Sequence, residues 1–371
     1  MVKYVLKRVV LMLFTLFIVC SMCFILIHLL PDAPILRGIG VDPNLQDFIN
    51  ESKGLKDPII VQYWRYLVNI FRYNYWGTGF KIHANKSVAL IIGEKMKYSV
   101  VVNLYSILFA IPLGLAFGIF AALRKNKWED HVVSTLVMIF ISVPSFVYAF
   151  LVQFFICFKL NAFPLRTFSL NEAGGLLTWK MFYSMVPAML ALGFGVVAGL
   201  TRYTRAELSE VLTSEFMLLA RTKGLTKRQA TIRHAMKNAM VVILPMIIGE
   251  FISIMGGSLI IEGIFSIPGI GPLYISSITT RDYNFFMALT VFYTFIDLLA
   301  GIIIDISYGF IDPRIRMGQR WWKKERLVKK CLNLFKSIKQ FMIRNSILNQ
   351  SVISKMHGFV FARTNLLLPE R

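Results

Sequence analysis

TRYTRAELSEVLTSEFMLLARTKGLTKRQATIRHAMKNAMVVILP, from Thr201 to Pro245, is a basic, helix-forming connector set between two strongly apolar segments. Thr213 and Ser214 are each able to cap a helix, Glu215 suits a first turn, and Gly224 is placed to end that helix at positive φ. Thr226 and Gln229 have the spacing of a capping box that starts a second helix leading into the next apolar run. Two short helices joined by a glycine hinge, held just outside a bilayer, make a handle by which something soluble could move membrane helices.

The composition around this connector is that of an integral membrane protein. Of 371 residues, 56% are hydrophobic and 16% charged, with a mean hydropathy of +0.61, against an apolar share of about 45–50% for soluble domains. A helix needs about 20 apolar residues to cross the hydrocarbon core. Six segments qualify, approximately Val9 to Leu30, Tyr98 to Leu123, His131 to Phe158, Met181 to Leu200, Ala239 to Glu262 and Phe286 to Ile311. The first is too long for a signal-peptide core and lacks a small-residue cleavage site, so it reads as a retained span.

Lys and Arg set the orientation. With the N-terminus inside, the cytoplasmic short segments hold fourteen basic side chains, eight of them within residues 201 to 238. The short outer loops hold four: Lys159, Arg166, Lys180 and Arg281. The formal net charge of +21 therefore reflects topology rather than nucleic-acid binding, because the basic residues flank apolar segments. From these signs the chain divides into 1–30 (cytoplasmic N-terminus and first span), 31–97 (external loop subdomain), 98–317 (five-helix core with the cytoplasmic loop 201–238) and 318–371 (basic cytoplasmic tail). That tail carries twelve basic and two acidic residues, with Trp321, Trp322, Phe335 and Phe341 interleaved. Such a pattern fits a surface-lying helix drawn to anionic lipid, and equally a disordered tail.

Within the external loop, Asp57 and Pro58 are an N-cap and N1 pair, after which Val61, Trp64, Val68 and Phe71 fall on one helical face. Pro112 and Pro144 are expected to kink their spans. Gly193, Gly195 and Gly199, then Gly249, Gly256 and Gly257, allow close helix approach. After the fifth span, SIPGIGPLY (Ser266 to Tyr274) has two prolines and two glycines and reads as a tight external loop. Pro268, Gly269 and Gly271 make it a candidate gate or docking lip, but turn chemistry alone explains its composition.

Catalytic constellations are not found. No phosphate-binding GxxxxGK[ST], HExxH or GxSxG occurs, the five histidines are scattered, and the cysteines show neither a disulfide framework nor a metal pair. Three acids lie inside apolar spans, Glu250, Asp297 and Asp305, each either a candidate pathway residue or a structural one facing a polar interior. Asp297 and Asp305 are eight apart on one helix, whereas an intramembrane aspartyl protease needs carboxylates converging from two. Proton or cation coupling through Glu250 and Asp297, as in a self-contained secondary transporter, is the rival reading.

Several ordered motifs give the chain a family resemblance. KYVLKRVVLMLFTLFIV with FILIHLLPDAP, KDPIIVQYWRYLVNIFR, SVPSF, ARTKGLTKRQATIRHAMKNA, IEGIFSIPGIGPL, RDY at Arg281 to Tyr283 and DPRIR at Asp312 to Arg316 cover about residues 3 to 317. Together they resemble the first permease of ABC importers of the oligopeptide/dipeptide/nickel class. The resemblance implies an all-α, six-helix, type I importer permease in the bacterial cell membrane, with both termini cytoplasmic, that forms half of a translocation path. It further implies a second homologous permease, two ATP-binding subunits that hold ATP and Mg, and an external substrate-binding lipoprotein. In that family the connector carries a coupling helix that docks on an ATP-binding subunit, here about Ser214 to Lys223 within the loop 214–231. Glu215, Ala220, Arg221, Gly224 and Leu225 are its candidate residues.

Two features depart from the family pattern. The motif's Glu-Ala-Ala is Leu218, Leu219, Ala220, and the turn after the first span lacks the usual glycine at Leu30 to Pro34. The tail beyond DPRIR is an addition to the family's usual length.

Overall fold

A backbone crossing hydrocarbon must satisfy its own hydrogen bonds, so the apolar runs fold as helices. The computed structural model describes residues 2–29, 48, 51 and 54–311. The basic tail, the DPRIR motif and the Leu30 to Pro34 turn lie outside the described residues. In chain order the helices are α1 (Val2–Leu29), α2 (Ile59–Tyr73), α3 (Val88–Leu123), α4 (Trp128–Ser142), α5 (Ser145–Val152), α6 (Leu170–Ala173) and α7 (Trp179–Leu212). They continue as α8 (Glu215–Thr222), α9 (Lys227–Ala230), α10 (Met236–Ser253), α11 (Leu259–Ile264), α12 (Ile270–Thr279) and α13 (Tyr283–Ile311). Among the described residues the β structure is two isolated bridges, Thr78 with Ser87 and Gly79 with Ala84.

Five helices are long and apolar enough to cross a membrane, within Val5–His28, Val88–Leu123, Trp179–Leu212, Arg228–Gly256 and Tyr283–Ile311. The expected third span is a broken pair, Trp128–Ser142 and Ser145–Lys159, bent by 102°. Counted as one span, it makes the sixth. The break is local chemistry: Val143, the residue before Pro144, is forced into extended backbone at φ −84°, ψ 128°. Pro112, by contrast, is accommodated inside the continuous α3.

The sequence reading is corrected at several boundaries. The fifth span does not reach Glu262: α10 ends at Ser253, a short 3₁₀ turn follows, and Gly257 at φ +60° redirects the chain into α11. SIPGIGPLY is half helix, since α12 begins at Ile270. Pro58, not Asp57, is the N-cap of α2, and the Asp57 carboxylate instead pairs with Arg65 at 2.5 Å.

The core of the bundle is the α3–α7 pair. Their close approach is set by Gly114 and Gly118, where an added Cβ would lie 2.7 Å from Leu200 and 2.5 Å from Thr204. Thr201 Oγ1 also donates to the Gly114 carbonyl at 3.2 Å. The spacing is small-xxx-small, a signal present in the sequence but not singled out there. Gly199 and Gly256, which were singled out, face open space.

Candidate functional site

The connector begins where α7 runs past the bilayer. Thr213 and Ser214 do not cap α8 with their side chains: Thr213 Oγ1 donates to the Ser209 and Glu210 carbonyls and Ser214 Oγ to Val211 O at 2.7 Å. Their hydroxyls serve the orphan carbonyls at the end of α7. One wall of α8, Met217 and Ala220, is buried with Ala122, Leu208, Ala230, Ala235 and Ile243. The other wall is exposed and mostly apolar: Phe216 is 45%, Leu218 64% and Leu219 55% exposed. Glu215 and Arg221 are exposed beside them, and Leu225 is half-buried.

Gly224 takes φ +85°, donates to Arg221 O at 3.0 Å, and has nothing within 4 Å of where a Cβ would be. Its identity is therefore a matter of backbone conformation alone. Beyond it Thr226 N donates to Gln229 Oε1 at 3.1 Å and Gln229 N to Thr226 Oγ1 at 3.3 Å, the reciprocal capping box. Of the candidate residues, then, Glu215 and Arg221 reach the outer wall, Ala220 is part of the packed one, and Gly224 shapes the turn.

The base of the connector is braced by a pair the sequence reading missed. Asp130, fully buried at the start of α4, receives Arg205 from α7 through two bonds, Nε to Oδ1 at 2.5 Å and Nη2 to Oδ2 at 2.8 Å. Asn126 N adds a third donor at 2.9 Å. The bidentate fork fixes the turn between α3 and α4 to the last third of α7, just before the connector.

The outer end is organised by two other buried acids. Glu262 of α11 accepts Ser258 N at 3.1 Å and Gly271 N at 3.0 Å, and bonds the Ser99 hydroxyl. Ser99 in turn accepts Ile270 N at 3.0 Å. Burial pushes the Glu262 carboxyl up from its usual value, against the hydrogen bonds that pull it down. A Cβ on Gly269 would lie 2.2 Å from Glu262 Oε2, and one on Gly271 2.7 Å from the Ser258 carbonyl. Gly269 and Gly271 are therefore small because the carboxylate and backbone fill the space. Pro268 sits between them and Ile267, whose N–H bonds Glu262 O at 2.8 Å.

Asp282, of the RDY motif, is also fully buried. One oxygen accepts three consecutive backbone N–H groups from the external segment: Phe80 at 2.8 Å, Lys81 at 2.7 Å and Ile82 at 2.9 Å. Asn284 Nδ2 adds a bond to Thr78 O at 2.8 Å. The start of α13 is thus stapled to residues 77–87.

The three intramembrane acids do not come together. Asp305 pairs with Arg8 of α1 at 2.9 Å. Glu250 is half-buried and Asp297 exposed, and the side chain of neither makes a hydrogen bond or ion pair among the described residues. No group of three metal-ligating side chains occurs among the described residues.

Two family models match the chain. Residues 114–317 match the binding-protein-dependent transport system inner membrane component, and residues 1–86 match the N-terminal membrane component of the same systems. The chain belongs to this family.

The permease is 33% identical over 317 residues to a dipeptide transport system permease protein of Lactococcus lactis, covering 85% of this chain and 100% of the relative. It is 31% identical to a dipeptide permease of Bacillus subtilis, with 86% and 100% covered. A glutathione transport system permease protein of Shigella flexneri is 30% identical, with 85% and 99% covered. The permease is thus a multi-pass, mostly helical membrane subunit of a binding-protein-dependent transporter, and the resemblance read from SVPSF, the connector and IEGIFSIPGIGPL is the right one.

Proposed function

We propose that this permease forms half of the translocation path of an ATP-driven importer of short peptides, and that α8 is the element through which separate ATP-binding subunits drive it. The observation that carries this is the two-walled α8: Met217 and Ala220 anchor it to the bundle, while Phe216, Leu218 and Leu219 present a mostly apolar face to the outside of the protein, with Glu215 among them and Arg221 at its edge. Three exposed large apolar side chains on an eight-residue helix are what an inserted, recognised surface looks like. ATP and Mg²⁺ would reside on those partners, a second permease would complete the path, and an external binding protein would deliver substrate to the outer loops. The peptide cargo is inferred from the dipeptide and glutathione permeases, which are similar along nearly their full lengths. A secondary transporter working through Glu250 and Asp297 is not favoured, since the family is binding-protein-dependent.

The test is co-purification from membranes of cells that express the whole transporter. Leu218→Asp with Leu219→Asp leaves the buried wall of α8 intact and is expected to release the ATP-binding subunits while the permease remains inserted. Undiminished co-purification would refute the docking role of this face.

A further inference from the structure

The outer halves of α1, α3 and α13, together with α2, line two adjoining, partly open cavities of opposite character. The deeper one, about 770 Å³, is lined almost wholly by apolar side chains, among them Leu13, Cys20, Met96, Val291 and Phe295, and by Gly93. The shallower one, about 300 Å³, has His28, Gln62, Arg65, Asn69 and Asn284 in its wall. Tyr66 and Trp76 line both. The Tyr66 hydroxyl at this junction is shielded from solvent and has no hydrogen-bond partner among the described residues.

We propose that this pair of cavities is a specific site for a glycerophospholipid of the outer leaflet, with acyl chain in the deep slot, an ester carbonyl at Tyr66 and the headgroup among the polar residues of the shallow one. Three observations select this occupant. From Ile27 in the outer cavity to Leu13 in the inner one is fourteen residues of α1, or roughly 21 Å at about 1.5 Å per residue. One leaflet, half of the roughly 40–45 Å bilayer with headgroups, has that depth. The deep slot has room for roughly 25 groups at about 30 Å³ each, a volume close to that of a methylene as well as of a water. That is more than one acyl chain, and a slot left empty at membrane depth would forfeit the dispersion contacts of its lining. Finally, the lining changes from hydrocarbon, past the Tyr66 hydroxyl, to a polar mouth of His28, Arg65 and amide side chains within one leaflet. A helix of another chain has no such gradient, and its carbonyls are already bonded within the helix, leaving nothing for Tyr66.

The walls are fixed in place for this role. Ser21 Oγ bonds the Tyr63 hydroxyl at 2.7 Å, and Phe24 packs on Tyr63 and Tyr66 with ring centroids 5.0 and 5.7 Å apart. Gln62 donates to the Leu55 and Asp57 carbonyls while its oxygen meets His28 Nε2 at 3.1 Å. Arg65 uses one nitrogen on Asp57 and is nearly half exposed, which leaves donors of its guanidinium for a phosphate. The inference rests on the permease crossing a membrane and not on its cargo.

The full transporter, reconstituted with a phosphatidylglycerol bearing a photoactivatable group at mid-acyl chain, tests this. Labelling is expected to concentrate on residues 13–20 and 288–295. Gly93→Phe, at a position with nothing within 4 Å of the added Cβ, is expected to plug the slot and abolish that labelling. Tyr66→Phe removes one hydrogen bond worth about 1 kcal/mol and is expected to lower retention of the lipid about fivefold in native mass spectrometry. Labelling spread evenly over the membrane-facing helices, or equal retention in wild type and Tyr66→Phe, would overturn the proposal. The Tyr66 arm decides even if Gly93→Phe fails to fold.

Discussion

The two ends of this permease use glycine for opposite reasons. At the cytoplasmic connector Gly224 has positive φ and open space around it, so a Cβ would meet no atom but the backbone disfavours one. At the outer end Gly269 has an extended backbone and no room, because the Glu262 carboxylate and Ser99 hydroxyl occupy the place of its Cβ. One glycine permits a change of direction beside an exposed helix; the other is filler in a hydrogen-bonded clamp. The outer end is thus held by hydrogen bonds around a carboxylate, whereas the inner end is a positive-φ turn beside an exposed apolar helix.

The largest effect expected from breaking the clamp is at Asp282. Asp282→Ala strands three consecutive backbone N–H groups at about 1–3 kcal/mol each. Thermal unfolding of the purified protein should show a loss of at least about 3 kcal/mol, with Asp282→Asn, which keeps an acceptor oxygen, recovering part of it. Next is Arg205→Ala, which removes the charge partner of the buried Asp130 carboxylate and leaves it Asn126 N and the Ser134 hydroxyl, at a cost of about 3 kcal/mol. Arg205→Lys should rescue it incompletely, since an ammonium cannot form the two-pronged bond, and unfolding midpoints measure both. Gly269→Ala should cost about 1–3 kcal/mol by forcing Glu262 and Ser99 aside, and its measured loss should exceed that of Gly224→Ala, which meets no atom.

The smallest effect concerns the exposed external loop. The Arg166 guanidinium bonds Glu172 at 2.6 Å, and with the N–H and hydroxyl of Ser169 holds its carboxyl at about 2, below the usual 4.5. The sign follows from a depressed folded value: the stabilisation is complete above about 4.5 and fades as pH falls toward 2. The midpoint difference between wild type and Glu172→Gln should shrink across that window and stay constant above it.

How much of this was legible in the sequence depends on how far apart the partners lie. The capping box and the positive φ of Gly224 are local, decided by residues within a turn of one another, and spacing alone found both. Pro144 announced a kink but not a 102° break, whose size depends on how the two halves pack. Glu262, Asp282 and Asp130 were not picked out as site residues. Their decisive partners include Ser99, the backbone of residues 80–82 and Arg205, which lie 75 to 202 positions away in the chain. Glu262 was also hidden by assignment to the end of a span that in fact stops at Gly256. A buried carboxylate that collects backbone N–H groups has no local signature. A charged residue among glycines and prolines, as in IEGIFSIPGIG, is the nearest thing to one.

The central claim is that the connector turns on Gly224 while the outer clamp stays fixed. It is tested most directly by the ratio of peptide uptake to ATP hydrolysis in proteoliposomes containing the complete transporter with Gly224→Val. A β-branched residue at φ +85° is strained by about 1–3 kcal/mol without touching a neighbour. The predicted result is an inserted, assembled transporter that still hydrolyses ATP but whose uptake per ATP falls by about tenfold, the equivalent of about 1.4 kcal/mol. Uptake per ATP equal to that of the wild type would contradict the claim.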